Sequence, residues 1–259
     1  MTRPEPFLRL DGIVKTYGAA RALDGVSVEI ARGEMVAVIG RSGAGKSTLL
    51  NVINRLIEPD GGAMTCAGRD VLALRGRELR DWRRETAMVF QRFNLVARLS
   101  VLQNVLTGRL AAMATLPSLL GWFSDEDRTR AIEALVALDM GDQALKRADA
   151  LSGGQQQRVA IARALVQDPS VILADEPVAS LDPRNSEAVM EALARINRDR
   201  GITVLTNLHS VALSQRYCSR AVALAAGRVV YDGPTAALSA EVLERVYGTA
   251  DLAAIEEAA

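Results

Sequence analysis

The sequence predicts an α/β fold: a mainly parallel sheet bearing a phosphate-binding loop, preceded by antiparallel β structure and interrupted by a helical insert. Three observations carry this prediction. Met35 to Ile39 is an unbroken apolar run bounded by turn residues, as in a strand buried on both faces. It runs into Gly40-Arg41-Ser42-Gly43-Ala44-Gly45-Lys46-Ser47-Thr48 and then into a segment of helical periodicity. Further short apolar runs at Thr86 to Phe90, Ser170 to Ala174 and Ile202 to Leu205 alternate with helical patterns.

Taken in order, Phe7 to Ile30 reads as antiparallel β structure. Val26, Val28 and Ile30 alternate with Ser27 and Glu29, and Gly12, Gly18 and Gly25 punctuate the stretch. Ala31-Arg32-Gly33 turns the chain into the strand at Met35. Tyr17 is the one aromatic here besides Phe7; it reads either as a core side chain or as a face for stacking a purine.

In the loop, glycines let successive N–H groups turn onto phosphate oxygens where a Cβ would obstruct them. The helix start beyond it favours anions through its unpaired N–H groups and its dipole. Lys46 supplies a point charge for the β- and γ-phosphates, and Ser47 Oγ a ligand for Mg²⁺. This loop predicts that the chain binds a nucleoside triphosphate.

The following helix gathers Leu49, Leu50, Val52, Ile53, Leu56 and Ile57 and ends at Pro59-Asp60-Gly61-Gly62. Arg75 to Arg84 is helical and basic, but its interleaved acids read as a solvated face. Gln91 stands at the carboxyl end of the Thr86 to Phe90 strand. There its amide reads as a reach to a metal-bound water or the γ-phosphate, or as a polar loop residue. Capping boxes at Ser100/Gln103 and Ser124/Asp127 open two helices, the second expected to end near Gly141. Between them lie Pro117, Gly121, Trp122 and Phe123, so residues 93–150 form a helical insert. Phe93, Leu95, Val96 and Leu99 put apolar side chains on a loop, which suggests a socket for a partner's helix; packing beneath the insert is the alternative.

Leu151-Ser152-Gly153-Gly154-Gln155 is a second glycine-rich turn opening a helix that Pro169 ends: another anion site, or a plain helix cap. Asp175, at a strand's carboxyl end, is placed to hold Mg²⁺ through water, and Glu176 to polarise an attacking water. Solvated carboxylates are the alternative for that pair. Asp182-Pro183 caps a helix running to Arg200. His209, the chain's one histidine, follows the next strand where it meets the site, and reads either as a site residue or as a satisfied structural histidine. Ala221 to Tyr231, split by Ala226-Gly227, reads as a hairpin, with a helical tail over residues 234–259.

Composition narrows the function. Basic and acidic residues balance at 31 each, so no bulk electrostatic case for nucleic acid exists. Cys66 and Cys218 have no metal spacing and suggest a reduced, cytosolic protein. The first ten residues show no signal-peptide core, and no segment reaches the ~20 apolar residues a membrane span needs.

From about Phe7 to Gly233 these parts, in this order, resemble the ATP-binding subunit of an ATP-binding-cassette (ABC) transporter. Tyr17 matches the aromatic loop of that family, Gly40 to Ser47 its Walker A loop and Gln91 its Q-loop. Leu151 to Gln155 match the signature, Val171 to Glu176 the Walker B strand with its catalytic glutamate, Ser180 to Asp182 the D-loop and His209 the switch histidine. The resemblance implies a P-loop NTPase fold of ABC type in one domain over residues 1–250, with ATP and Mg²⁺ bound and ATP hydrolysed. It implies Lys46, Gln91, Glu176 and His209 as catalytic residues, and Ser47, Gln91 and Asp175 around the metal. It also implies a homodimer packed head to tail, each signature closing over the other copy's ATP. Integral permease subunits and, indirectly, an extracytoplasmic solute-binding protein are the other partners, at the cytoplasmic face of the inner membrane. Asn104 to Arg109, Ser118 to Gly121, Ala179 to Asp182 and Asn207-Leu208-His209 further resemble phosphonate-import ATPases. Rival readings are import of phosphate or an amino acid, an accessory of phosphonate breakdown, and a non-transport ABC ATPase.

Overall fold

The structure, a computed structural model, describes residues 6–113 and 115–248. Its centre is a six-stranded sheet. It is built from β3 (Met35–Ile39), β6 (Thr86–Val89), β7 (Val171–Ala174), β8 (Thr203–Asn207), β9 (Arg220–Ala225) and β10 (Arg228–Pro234). The spatial order is β10-β9-β3-β8-β7-β6, parallel throughout except for the β9–β10 hairpin. Ala226 and Gly227 both take left-handed backbone (φ 47 and 76), which lets a two-residue turn follow the strand twist. A second sheet, β2-β1-β4-β5, is antiparallel. Its strands are β1 (Leu8–Tyr17), β2 (Ala20–Ile30), β4 (Gly61–Cys66) and β5 (Arg69–Asp70). Sequence reading did not find β4, because Gly61-Gly62-Ala63 carries no apolar alternation.

Side-chain alternation along β3 shows why the central sheet is apolar on both faces. Met35, Ala37 and Ile39 face a core shared with α3 (Val101–Leu106), α5 (Asp125–Val136), α6 (Gly153–Leu165), α7 (Pro183–Arg200) and α9 (Ala240–Tyr247). Val36 and Val38 face the other core, with α1 (Lys46–Ile53), Trp82 of α2 (Gly76–Glu85) and the antiparallel sheet. Residues 93–150 contribute α3, a short α4 (Thr115–Leu120) and α5, and α3, α5 and α6 pack on one another. A short α8 (Val211–Tyr217) leads into β9.

Three expected elements change. The helix after the loop ends at Ile53, six residues before Pro59. Arg55 turns left-handed (φ 62) and buries its guanidinium on the Val71 carbonyl, while Leu56 and Ile57 return their N–H groups to Asn51 O. Leu56 is left 48% exposed. The basic helix is not simply a solvated face, since Trp82 is fully buried and donates its indole N–H to Ile53 O at 2.9 Å. The helix opened by Ser124 stops at Val136 rather than near Gly141, as the chain reverses through Asp139 (φ 56). Of the helical tail expected over 234–259, residues 249–259 lie outside the described residues.

Candidate functional site

The phosphate loop is pinched between two strands. A Cβ on Gly40 (φ 148) would overlap Leu224 O of β9, and one on Gly45 (φ 103) would overlap Ala22 O of β2. Only glycine allows both approaches. Arg41, Ser42 and Gly43 form an exposed rim, Ala44 is buried beneath it, and Ser47 and Thr48 are half-buried on the first turn of α1. No side chain caps that helix start. Lys46 is 4% exposed and its Nζ donates to Gly40 O at 2.7 Å and Arg41 O at 3.0 Å. Burial pushes its pKa down, and the Glu176 and Asp175 carboxylates push back. A buried ammonium that among the described residues is bonded only to carbonyls of its own loop suits an incoming anion that can replace them.

Two carboxylates just past the carboxyl end of β7 complete the arrangement. Asp175 Oδ1 accepts from Ser47 Oγ at 2.8 Å and from Asn207 Nδ2 at 2.5 Å. Among the described residues no cluster of three His, Cys, Asp or Glu could hold a metal. The Ser47 hydroxyl and Asp175 carboxylate therefore fit an ion that takes its other ligands from phosphate and water, which is the habit of Mg²⁺. Glu176 follows with left-handed backbone (φ 49), and its Oε1 lies 2.7 Å from His209 Nε2. An ordinary residue held in that conformation at a strand end is a recurrent mark of a functional site.

The other expected residues sit further out. Tyr17 ends β1 and is 49% exposed, which removes the core alternative; Lys15 Nζ stands 5.6 Å from its ring centre. Gln91 is exposed beyond β6, and its side chain makes no hydrogen bond among the described residues, so the fold does not bring it onto Ser47 or Asp175. Ser152 caps α6 in a full capping box with Gln155. Gly154 is buried, and a Cβ there would come 2.5 Å from Asn185 Oδ1 of α7. Ser152, Gly153, Gly154 and Gln155 make no hydrogen bond to the Gly40–Thr48 loop among the described residues, so the two glycine-rich turns stand apart within one chain.

Sequence reasoning missed several positioning side chains. Asn207 was met only as part of a resemblance, yet it is fully buried and holds Asp175. Asn104, also fully buried, donates to Val96 O and Ser100 O (both 3.1 Å) and accepts from Val96 N–H, shaping the loop before α3. Of the apolar residues on that loop, Leu95 packs against the core, Phe93 and Leu99 are half-buried, and Val96 is 52% exposed. Packing beneath the insert therefore holds for Leu95, while Val96 is left on the surface. Tyr247 of α9 is buried beside the Gly40 backbone, and burial pushes its phenol up to about 12.

Comparison with known proteins places the fold in a family. Residues 23–179 match the model of the ABC transporter family. Phosphonates import ATP-binding protein PhnC 1 of Rhodopseudomonas palustris is 55% identical over 240 residues, covering 93% of this chain and 89% of that protein. The PhnC protein of Rhizobium johnstonii is 54% identical over 249 residues, covering 96% and 89%. Among solved structures, a dimeric ATP-binding cassette in a post-hydrolysis state with ADP and Pi superposes with TM-score 0.77 at 36% identity, covering 88% of this chain and 98% of that one. The cbiO1 structure from Clostridium perfringens gives 0.80 at 29%, covering 93% and 94%. With the family model spanning more than half of its length and relatives more than half identical along nearly all of it, the chain belongs to the ABC transporter family.

Proposed function

We propose that this chain is the ATP-hydrolysing subunit that powers import of phosphonates through a separate membrane permease. The observation that carries the reading is the convergence of Lys46, Ser47, Asp175, Glu176 and His209 at neighbouring strand ends, in a chain so similar to phosphonates import ATP-binding proteins. Residues 1–250 form the ATPase domain, with 1–92 and 151–233 as nucleotide-binding core and 93–150 as helical subdomain. Tyr17 stacks the adenine, and the Arg41–Thr48 backbone wraps the phosphates. Lys46 leaves its two carbonyls to neutralise the β- and γ-phosphates. Magnesium, when bound, neutralises phosphate charge; Ser47 would hold it, with Asp175 acting through water, and Gln91 would reach the same ion only once its loop moves in from the exposed position it holds here. Glu176 accepts a proton from the attacking water as its oxygen bonds the γ-phosphorus and the bond to ADP breaks. His209 holds the γ-phosphate oxygens.

A second copy of the chain supplies Ser152, Gly153, Gly154 and Gln155 over each ATP, which accounts for two half-sites that do not meet within one chain. Membrane-spanning permease subunits supply the path for the solute, in keeping with the likeness to phosphonates import ATP-binding proteins; among the described residues no helix is long and apolar enough to cross a membrane. The chain sits peripherally at the cytoplasmic face of the inner membrane, and a solute-binding protein outside delivers the substrate. The test is purification with the permease and binding protein, then hydrolysis measured with methylphosphonate, inorganic phosphate or an amino acid. Stimulation by methylphosphonate is expected. Stimulation only by phosphate or an amino acid would refute the substrate, and an ATPase that captures no membrane partner would refute the transport role.

A further inference from the structure

The loop after Gln91 is built onto the helix that carries the signature turn. Arg163 sits in the last turn of α6, and its guanidinium donates to Phe93 O at 2.9 Å and Asn94 O at 2.5 Å. The same Phe93 reaches the other end of α6, where a Cβ on Gly153 would lie 3.7 Å from its ring. Asn94 adopts left-handed backbone (φ 51), which asparagine tolerates better than most residues. The loop is therefore tied to the last turn of α6 by Arg163, and its Phe93 ring lies near the glycine that opens the same helix.

The seat of Arg163 is itself rigid. A Cβ on Gly108 would overlap the Arg163 carbonyl, so the turn after α3 closes directly on this part of α6. Burial pushes the Arg163 pKa down with no carboxylate to offset it. A half-buried guanidinium bonded to backbone carbonyls is a costly way to pack a helix end. A planar fork that satisfies two adjacent carbonyls at once is what arginine offers and lysine does not.

We infer that Arg163 is a positioning residue that joins the partner-facing loop to the signature turn, so that a permease helix pressing on residues 93–96 carries Ser152 to Gln155 with it. This rests on the importer reading above. Arg163 touches no nucleotide; it acts by making loop and α6 one body, and a small shift of a closing group changes rate steeply. Spatial continuity is not itself coupling, so the claim turns on measurement.

The test compares wild type, Arg163→Ala, Arg163→Lys and Asn94→Val, both as isolated subunits and in vesicles with permease and substrate-loaded binding protein. Asn94→Val attacks the same carbonyls from the loop side, because a β-branched residue resists φ 51. Basal kcat and KM for ATP of the isolated subunits should stay within about twofold of wild type. The ratio of stimulated to basal hydrolysis should fall about tenfold or more in Arg163→Ala and Asn94→Val. Arg163→Lys should keep part of it, since an ammonium can hold one carbonyl. An unchanged ratio in Arg163→Ala overturns the inference, and so does a common fall of basal and stimulated rates, which marks a merely structural role. If Arg163→Ala does not fold, Asn94→Val decides alone. A wild-type complex with no substrate stimulation refutes the importer reading instead, and this inference with it.

Discussion

Glu176→Gln tests the chemistry most directly, because the structure separates what the side chain holds from what it would do. Glu176 Oε1 lies 2.7 Å from His209 Nε2, and its side chain is 19% exposed. Glutamine has the same length and can keep a hydrogen bond to His209, so geometry is retained while basicity is lost. Lys46 and the loop are untouched, so the ATP dissociation constant should change less than about threefold. Loss of a positioned general base costs on the order of 10²- to 10⁴-fold, so kcat should fall by that much. Phosphate release reports turnover, titration calorimetry reports binding, and size exclusion should show an ATP-loaded dimer accumulating. Glu176→Gly adds a second reading from the same position. Left-handed backbone costs a side chain about 1 kcal/mol relative to glycine. Glycine there should raise Tm by about 2–4 °C in a chain of this size while turnover is lost. A glutamine variant turning over within threefold of wild type would remove Glu176 from the mechanism.

Three further outcomes are expected. Mixing Lys46→Ala chains with Ser152→Arg chains gives mixed dimers with one doubly defective and one intact site, so ATPase activity should return on mixing; two variants that dimerise and stay inactive together would sink the composite site. Val96 is the cleanest probe of the docking loop at 52% exposure, whereas a charge at Leu95, packed on the core, would unfold the chain. Val96→Asp should keep basal hydrolysis within about threefold yet abolish transport in the reconstituted complex, because an unpaired charge buried at a contact costs several kcal/mol. Burial pushes the Cys66 thiol up to about 11 and the Cys218 thiol up to about 12, against an ordinary value of 9.0. Both are neutral and inert at pH 8. Ellman's reagent should label neither until the protein unfolds. With folded pKa values above the unfolded ones, this contribution to stability is full below pH 9 and is lost as pH rises towards 11–12. Prompt labelling of the native protein would contradict the burial.

What the sequence determined by itself was local. The apolar run of β3, the glycines after it and the helical period of α1 lie within a few turns of chain, so sterics and periodicity suffice to read a phosphate loop. The capping boxes at Ser100 and Ser124 are legible for the same reason, since both partners of each lie three residues apart. The order of such parts along the chain was enough for the family. Tertiary structure decided which side chains meet across the fold. Arg55 ends α1 early because a carbonyl 16 residues on receives its guanidinium, and Trp82 turns a charged helix into a core element. Asn207 finds Asp175 across 32 residues, and Arg163 reaches back 69 and 70 residues to the loop after Gln91. Spacing says nothing about such pairs. A period repeats along one element, whereas a buried donor takes whichever acceptor packing brings within about 3 Å, and that is settled only when the layers close.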